Sequence, residues 1–473
     1  MILSLIPRRP AARRGLIAFF AAIAAAGFGF ADDWPQWLGP QRDGVWRENG
    51  IVERFPAGGP PVRWRTPIKS GYASPAVVGN RVYVMDFALK PGTRSGNVMS
   101  RSSLPGVERV LCLDDSDGHI VWEHKYDCDY AIAFPAGPRA TPVVAGGRVY
   151  TLGAMGDLLC LDAENGKPVW SVNLPQRYGD PQKPVRGVPL WGYAASPLLD
   201  GDRLITLGGD DGSVVVALHK DTGKELWKAL SSFSIGYCPP VIYSVGKTRQ
   251  LIVWHPEAVC GLDPQSGQVF WEYPFPLHRS ALAIPMPRFD GKHLFVTSFY
   301  NSALMLDLGA DHPAPTVLWQ GKGKSEKPEQ TATLHSIMPT PVIKDGFIYG
   351  IDSYGELRCL RVDTGERVWT ALGVTRPLKD GKRDESKPGE KDRWDNAFLD
   401  PQGDRCFIFN EAGELIIAKL EPTGYTEIDR AKIIEPDNSM PNRKVVWSQP
   451  AYAHRSVYVR NDHEIVCVSL APK

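Results

Sequence analysis

A unit of about fifty residues recurs through most of this chain, and such a period is the signature of a repeat architecture. Each copy ends similarly: a leucine and a polar residue close one run, a glycine-containing turn follows, and a tryptophan stands in the next run. This sequence pattern ends six units, at Trp122, Trp170, Trp227, Trp271, Trp319 and Trp369. A seventh unit keeps Leu420 and Gly424 with Ile428 near the tryptophan position, and an eighth spans residues 450–470 without a tryptophan.

Each unit predicts four strands separated by tight turns. In the second unit we expect strands at residues 141–144, 149–153, 158–162 and 168–174. The glycines between these runs supply the positive φ that tight turns need. We therefore predict an all-β fold, an eight-bladed β-propeller of four-stranded antiparallel blades, in which the tryptophans fill the space between neighbouring blades.

The eighth blade lacks its last strand, and a matching strand stands at the other end of the chain. Val62-Arg63-Trp64-Arg65 has the same form as Pro168-Val169-Trp170-Ser171 in the second unit. We expect this N-terminal strand to pair with the C-terminal blade, because closing the ring hides exposed strand edges.

The first residues predict an export signal. Basic residues up to Arg14 precede an apolar stretch, residues 16–30, and Gly29-Phe30-Ala31 is a small-residue cleavage site. Arg13-Arg14 leaves the twin-arginine route open beside the ordinary secretory route. We expect residues 1–31 to be a signal peptide, 32–61 an N-terminal extension, and 62–473 a single propeller domain located in the periplasm or cell envelope.

Charge and cysteine usage exclude several classes of function. The chain has 54 basic against 53 acidic residues, which gives no argument for nucleic acid or an anionic membrane surface. Cys112, Cys160, Cys359 and Cys467 occupy the same place in different units, too far apart for a disulfide, so we interpret them as small buried hydrophobes. The pairing of Cys128, Cys238, Cys260 and Cys406 stays open. We find no metal motif and expect a monomer.

The repeat resembles a known family. Residues 161–170, Leu-Asp-Ala-Glu-Asn-Gly-Lys-Pro-Val-Trp, look like the pyrroloquinoline quinone repeat, as do residues 217–227 and 359–369. That repeat builds quinoprotein alcohol dehydrogenases and also BamB-type scaffolds of the outer-membrane assembly machinery. The opening residues 33–44 are similar to the start of many exported bacterial propellers of this type.

The resemblance implies two different functions. The dehydrogenases hold their quinone beneath a disulfide between adjacent cysteines and beside calcium, and this sequence has no Cys-Cys pair. We therefore expect no cofactor and no catalytic residues, with a dehydrogenase using pyrroloquinoline quinone and calcium as the alternative. The resemblance to BamB-type scaffolds implies a non-catalytic binding or assembly role, with an envelope protein or extended peptide as the partner.

Long insertions interrupt the repeat at residues 89–108, 176–190, 321–334, 376–393 and 435–444. They lie in links between blades or between second and third strands, which share one face of a propeller, and insertions gathered on one face often mark the binding surface. We call this the insertion face.

The residues just before each first strand should ring the channel mouth on the insertion face. Aromatic and polar side chains there could bind a peptide, a sugar or a flat cofactor, or simply fill the ring axis as core. The candidate binding residues are Tyr72, Arg139, Trp191, Tyr193, Tyr237, His255, His335, Trp394, Asn396, Trp447 and Gln449. We predict a binding scaffold that uses the insertion face; a carbohydrate-binding propeller is a further alternative.

Overall fold

Four-stranded antiparallel sheets repeat eight times in the computed structural model, which describes residues 33–93, 99–277, 282–300, 302–309, 314–321, 325–440 and 442–472. The expected signal peptide, residues 1–31, lies outside the described residues. No helix among the described residues is long and apolar enough to cross a membrane.

The eight sheets follow one another along the chain as the blades of the ring. The strands of blades 1 to 4 are Ala76–Val78, Arg81–Leu89, Ser102–Asp114 and Ile120–Ile132; Val143–Ala145, Arg148–Leu152, Asp157–Asp162 and Pro168–Asn173; Leu198–Asp200, Arg203–Leu207, Val215–His219 and Glu225–Ala229; and Val241–Val245, Thr248–Trp254, Ala258–Leu262 and Val269–Pro274. Those of blades 5 to 8 are Arg288–Phe289, His293–Ser298, Ser302–Asp307 and Thr316–Gln320; Val342–Lys344, Phe347–Ile351, Leu357–Arg361 and Arg367–Ala371; Ala397–Gln402, Arg405–Asn410, Glu414–Glu421 and Gly424–Lys432; and Ala451–Ala453, Ser456–Arg460, Glu464–Ser469 and Val62–Pro67. The predicted eight-bladed propeller is confirmed.

The links between blades carry little further structure. They hold one short helix, Leu174–Tyr178, a hairpin of Asn438–Met440 with Arg443–Val445, and 3-10 turns at Pro184–Gly187, Pro328–Gln330 and Glu390–Asp392.

Blade 8 closes with the N-terminal strand, as predicted. Val62–Pro67 pairs antiparallel with Glu464–Ser469, and Trp64 stands opposite Cys467. The same register recurs elsewhere, since Cys160 stands opposite Trp170, and a bulge separates this pair from the next one. Two distant parts of the sequence therefore rebuild the geometry that one repeat makes by itself.

The repeated tryptophans lie between blades. The Trp170 indole N–H donates to Lys220 O of the next blade at 2.7 Å. A Cβ added at Gly223 of that blade would lie only 2.9 Å from the Trp170 ring, so the glycine turn lies directly against the indole. The same contact joins Trp122 to Gly166 and Trp319 to Gly365. The structural interpretation of these tryptophans agrees with this packing.

Blade 7 lacks the repeated tryptophan. In other blades, a tryptophan of the fourth strand pairs with the third strand just before the bulge. In blade 7, Asp429 holds this position and pairs with Ile417, and the bulge skips Ile428. Ile428 therefore lies next to the tryptophan position, as the sequence interpretation expected. The hairpin here turns through only two residues, because Glu421 pairs with Gly424.

The first insertion is different from expectation. Residues 89–108 were expected as a loop, but Ser102–Asp114 is one long strand that pairs with Ile120–Ile132 along its whole length. The buried Glu108 carboxylate accepts hydrogen bonds from the Tyr126 and Tyr130 hydroxyls, which fixes this extended hairpin. Residues 102–108 of the insertion thus extend blade 1.

All eight cysteines are free and buried. Cys112 and Cys160 stand opposite Trp122 and Trp170, in the same position of their blades. The expectation that such equivalent cysteines stay unpaired agrees with the structure, and burial raises the pKa of the Cys160 thiol to about 11.

Residues 33–48, which we call the floor segment, run across the ring below the first strands. Backbone hydrogen bonds join it to three blades: Trp34 to Val77, Val144 to Pro35, and Trp46 to Pro401. Further bonds reach four more blades: Arg42 to Ser196, Pro197 and Pro240, Arg288 to Asp43, and the Arg455 amide to Glu48. The floor segment is therefore bonded to seven of the eight blades.

The floor segment lies on the face opposite the insertion face. Its ends bond to turns between first and second strands: the Gly79 amide donates to Asp33, and the Gln402 amide donates to Glu48 O at 2.9 Å. The Arg42 guanidinium is buried within the ring and has carbonyl partners in blades 3 and 4. The Arg42 side chain thus reaches the links that precede the first strands of blades 3 and 4.

Candidate functional site: an aromatic cavity on the ring axis

A cavity of about 450 Å³ lies where the first strands begin, on the insertion face. Its lining is mostly aromatic and aliphatic. The lining residues are Trp37, Tyr72, Met99, Phe134, Arg139, Trp191, Ala194, Ser196, Tyr237, Pro239, Leu282, Ile284, Phe299, Tyr300, Ile337, Met338, Arg393, Trp394, Phe398, Trp447 and Gln449.

Every blade contributes to this cavity at the same point of its fold. The residues come from the link that precedes the first strand, or from the first strand itself in the case of Phe398. Three more, Met99, Phe299 and Tyr300, come from links between second and third strands. Trp37 of the floor segment also lines the cavity.

Seven of the predicted site residues line the cavity: Tyr72, Arg139, Trp191, Tyr237, Trp394, Trp447 and Gln449. Trp191 and Tyr237 pack edge to face with ring centroids 5.5 Å apart, a preferred aromatic geometry. Phe134 lies 6.2 Å from Trp447, centroid to centroid. These contacts hold flat rings around the opening.

Arg139 supplies positive charge to the wall. Its Cζ lies 5.1 Å from the centre of the Tyr72 ring, within cation–π range. The guanidinium donates to three backbone oxygens, of Gly137, Ala133 and Phe134. Burial lowers the pKa of Arg139 and raises the pKa of the Tyr72 hydroxyl to about 12, so the phenol is neutral at pH 7.

Trp394 is held in an unusual backbone conformation. Its φ is 68°, in the left-handed region that non-glycine residues rarely occupy, and its amide donates to Ser353 O at 2.7 Å. The Arg393 guanidinium lies 4.6 Å from the Trp394 ring and pairs with Glu326 at 2.7 Å. Such outliers occur where the surrounding structure over-determines a side chain's position.

Two buried acids stand behind the tryptophans. Glu411 accepts from the Trp447 indole N–H at 2.8 Å, and Arg443 pairs with Glu411 at 2.5 Å and with Asp395 at 2.8 Å. Burial, and then the neighbouring Glu411, raise the pKa of Asp395 far above its ordinary range. These carboxylates are engaged by Arg443 and are not part of the lining.

Gln449 connects the lining to the core. Its amide donates to Asp400 Oδ1 at 3.2 Å, and Asp400 is fully buried. Burial raises the pKa of Asp400 well above its ordinary value.

Four predicted site residues lie outside the cavity. The Tyr193 hydroxyl donates to Gly208 O at 2.7 Å, and Asn396 donates to Trp394 O behind the wall. His335 is buried, and its Nδ1 lies 3.2 Å from Phe299 O, so it holds the link that carries Phe299. Asn396 and His335 thus each bond to the backbone of a lining residue, Trp394 or Phe299, and Tyr193 bonds to the backbone of blade 3.

His255 lies further away, between blades 3 and 4. Its Nδ1 accepts from the Glu257 amide, so the neutral ring carries its proton on Nε2, 3.5 Å from Cys260 Sγ. Burial lowers the pKa of His255 to about 4. One donor atom each of His255, Cys260 and Glu272 lie within 4.8 Å of one another, but the Nε2 proton already faces the sulfur. A hydrogen-bonded structural histidine is the simplest interpretation.

Sequence reasoning missed several lining residues. Phe134, Phe299 and Tyr300 stand in links that carry no repeat pattern, and Trp37 belongs to the floor segment. The conspicuous Asp33-Trp34-Pro35-Gln36-Trp37 opening was a possible signal, since two tryptophans this close in a short extension need a buried place.

The lining does not fit pyrroloquinoline quinone with calcium. Calcium takes carboxylate and carbonyl oxygens as ligands. None of the described lining residues is an aspartate, glutamate or cysteine, and the nearby acids Asp395 and Glu411 are committed to Arg443. The cavity therefore has neither an acidic ligand set nor the adjacent cysteines that the dehydrogenases use.

The fold and cavity define a propeller of pyrroloquinoline-quinone-type repeats with an aromatic axial site. The family model described as outer membrane protein assembly factor BamB matches residues 106–371, more than half of the chain. The chain belongs to this family.

The individual relatives include both a quinoprotein dehydrogenase and a BamB protein. A quinoprotein ethanol dehydrogenase of Pseudomonas aeruginosa is 30% identical over 174 residues, covering 34% of this chain and 26% of the relative. An outer membrane protein assembly factor BamB of Burkholderia pseudomallei is 25% identical over 159 residues, covering 32% of this chain and 35% of the relative. The chain thus spans about a quarter to a third of the length of these curated relatives.

A solved structure supports the fold over a longer stretch. BamB from Moraxella catarrhalis superposes with a TM-score of 0.51 at 16% identity, covering 86% of this chain and 97% of that one. At this identity the likeness concerns the fold alone. The chain is a repeat propeller related to both BamB and quinoprotein dehydrogenases.

Proposed function

We propose that this protein is a non-catalytic binding scaffold of the cell envelope that holds an extended polypeptide partner against its insertion face. The observation that carries the proposal is the cavity lining, which is rich in aromatic rings and contains no carboxylate, cysteine or histidine among the described residues. Carboxylates, cysteines and histidines are the side chains that most often carry general acid–base or covalent catalysis.

The aromatic lining suits peptide side chains better than sugars. Burying flat rings against apolar side chains gives affinity without fixed polar partners, whereas a sugar needs many placed hydrogen-bonding groups. The long inter-blade links surround the cavity and extend the contact surface beyond it. This is the architecture of an anchor pocket within a larger interface.

Site-specific photocrosslinking tests the proposal. p-Benzoylphenylalanine replaces Met338 in the lining or, as the control, Val269, which is 40% exposed on an outer strand. The probe is a permanently unfolded polypeptide, reduced and carboxymethylated α-lactalbumin. We expect adducts from position 338 and few from position 269; equal yields, or none from 338, would exclude the insertion face as the binding surface.

The dehydrogenase alternative has its own test. Pyrroloquinoline quinone and calcium are added to the purified chain, and bound chromophore and alcohol-dependent dye reduction are measured. Stoichiometric quinone binding with dye reduction would overturn the scaffold proposal. We expect neither, because the lining offers calcium no acidic ligand.

A further inference from the structure

A second cavity, of about 620 Å³, lies among the links of the insertion face. Its charged lining residues are Asp180, Lys183, Asp210, Asp211 and Glu257, and we call it the acidic pocket. These residues stand in the link between blades 2 and 3 and in the links between second and third strands of blades 3 and 4. The acidic pocket is separate from the axial cavity, because the two described linings have no residue in common.

One of the four carboxylates of the acidic pocket has a cationic partner. Lys183 Nζ lies 2.9 Å from Asp210 Oδ2 and donates to a backbone oxygen at 3.3 Å. The carboxylates of Asp180, Asp211 and Glu257 have no lysine, arginine or histidine of the described residues within ion-pair distance. The acidic pocket therefore holds three carboxylates that no cation of the described chain compensates.

Lys183 shows which chemical group this lining can hold. Its ammonium is bound by one carboxylate and one carbonyl oxygen, which are the acceptors that the N–H donors of an ammonium need. The hydroxyl of Ser232, which also lines the acidic pocket, is a further acceptor. Ser232 is 7% exposed, and its Oγ has no hydrogen-bond partner among the described residues. Because leaving a buried hydroxyl unpaired is costly, an N–H group of a ligand would stabilise it.

The unpaired carboxylates do not converge on one point, as the ligands of a metal ion do. Among the described residues, three donor atoms of His, Cys, Asp or Glu come within 4.8 Å of one another at His255, Cys260 and Glu272, and not in the acidic pocket. The three unpaired acids stand on three different links. A ligand that reaches all of them must carry its positive charges apart from one another, as an extended organic cation does and a metal ion does not.

Phe233 adds an exposed aromatic ring next to the acidic pocket. Its backbone bonds to two lining residues, since its amide donates to Glu257 Oε2 at 3.1 Å and its carbonyl accepts from Lys183 Nζ. The residue itself is 57% exposed. Such a ring attracts a neighbouring ammonium to its face and packs against the methylene stem of an aliphatic amine.

We infer that the acidic pocket binds a linear polyamine, a small organic cation whose ammonium groups pair with Asp180, Asp211 and Glu257. Its methylene segments pack against Phe233. A single lysine or arginine side chain would compensate one of the three carboxylates, whereas a polyamine with three ammonium groups compensates all of them. The inference goes beyond the proposed function, because it concerns a separate site and requires no polypeptide partner.

Calorimetric titration of the unaltered protein tests the inference. The probes are spermidine, which has three ammonium groups, and butylamine, which has one. We expect spermidine to bind on the order of tenfold tighter than butylamine, since each further ion pair at an open pocket adds a modest stabilisation. Added sodium chloride should weaken spermidine binding by screening these pairs. Equal affinity for the two amines, or no binding of spermidine, would overturn the inference.

Two competitors distinguish a polyamine from other cations. Calcium chloride tests a metal ion, and the peptide acetyl-Lys-Gly-Lys-Gly-Lys-amide tests a basic polypeptide segment with the same number of ammonium groups as spermidine. We expect neither to displace bound spermidine at equal concentration. Displacement by calcium would overturn the assignment of an organic cation, and displacement by the peptide would overturn the assignment of a small molecule.

Variants assign the effect to the carboxylates. Asp180→Asn combined with Asp211→Asn keeps an oxygen for the hydrogen bonds from the Gln182 amide and the Ser231 hydroxyl, so we expect a folded protein. Spermidine affinity should fall on the order of tenfold. Asp202→Asn is the matched control, because Asp202 is an exposed acid in the turn between first and second strands of blade 3, on the opposite face. Unchanged affinity in the double variant would remove the acidic pocket as the binding site.

Ser232→Ala separates a ligand contact from a structural role. The hydroxyl has no partner within the described chain, so its removal should lower spermidine affinity severalfold without lowering the free energy of unfolding. Calorimetry and urea unfolding measure the two quantities. Unchanged affinity would contradict the assignment of the Ser232 hydroxyl as an acceptor for the ligand.

Discussion

Trp447 donates its indole N–H to Glu411 Oε2 at 2.8 Å, and this bond fixes one wall of the axial cavity. Glu411 also holds the Asn396 amide at 3.1 Å and the Arg443 guanidinium at 2.5 Å. One buried carboxylate thus orients an aromatic residue of the site.

Replacing Glu411 tests this arrangement. Glu411→Gln removes the charge that balances Arg443, and we expect a loss of about 2 kcal/mol in the free energy of unfolding. Asp395 should ionise more readily, because Glu411 no longer repels its negative charge. Urea unfolding measures the stability; Glu385→Gln, in an exposed pair with Arg383, is the control and should change little. Similar losses in both variants would contradict the buried role of Glu411.

The floor segment should depend on Arg42. Arg42→Met removes hydrogen bonds to Ser196, Pro197 and Pro240, and we expect a destabilisation on the order of 3 kcal/mol. Hydrogen exchange of the Trp46 amide, bonded to Pro401, should become faster as the segment loosens. Arg47→Met, in an exposed pair with Asp43, is the matched control. Unchanged exchange at Trp46 would show that Arg42 does not hold the floor segment.

Blade contacts should be sensitive at the turn glycines. Gly223 and Gly146 have φ of 66° and 57°, so alanine at either carries a similar backbone cost. A Cβ at 223 would also lie 2.9 Å from the Trp170 ring, whereas nothing lies within 4 Å of one at 146. We expect Gly223→Ala to lower the unfolding free energy by about 1–2 kcal/mol more than Gly146→Ala. Thermal or urea unfolding of the two variants measures the difference, and equal losses would refute close tryptophan packing.

The buried His335 should make stability fall in mild acid. Burial lowers the pKa of His335 to about 4 from its ordinary 6.5, so between these values the unfolded chain binds a proton that the folded chain does not. The unfolding free energy therefore falls as the pH falls through this window, by roughly 2–3 kcal/mol for this residue. His335→Asn keeps a donor for Phe299 O and should lose less stability between pH 7 and pH 4.

Urea unfolding at several pH values measures that difference. Carboxyl groups titrate in the same window, but they do so in both proteins and cancel in the comparison. The unaltered protein is the reference for this pH dependence. A His335→Asn variant with that same dependence would mean that His335 is protonated without cost.

The fold was predictable because each blade repeats the same local pattern. Trp64 could be matched to Trp170 by its neighbours alone, although the strand of Trp64 pairs with residues about 400 positions away and the strand of Trp170 with the strand just before it. Asp429 could not be placed, since no tryptophan marks its position in blade 7.

The site was predictable only where it follows the repeat. Tyr72, Arg139 and Trp447 stand just before a first strand, and that position alone directs them to the axis. Trp37 could not be placed, because the floor segment is fixed by contacts such as that between Arg42 and Pro240, 198 residues apart, for which no local pattern exists. His255 was misplaced because its side chain points toward Cys260 rather than the axis.

The pairing of Val62–Pro67 with Glu464–Ser469 also determines the order of folding. The outer strand of blade 8 is made before blades 1 to 7, and its partner after them. Blades 1 to 7 can each form from neighbouring residues, but the ring can close only when both strands are present, and closing so long a loop is slow. Until then both edges of the open ring offer unpaired strands to other chains, so the strand that closes the ring also removes two edges at which chains could associate.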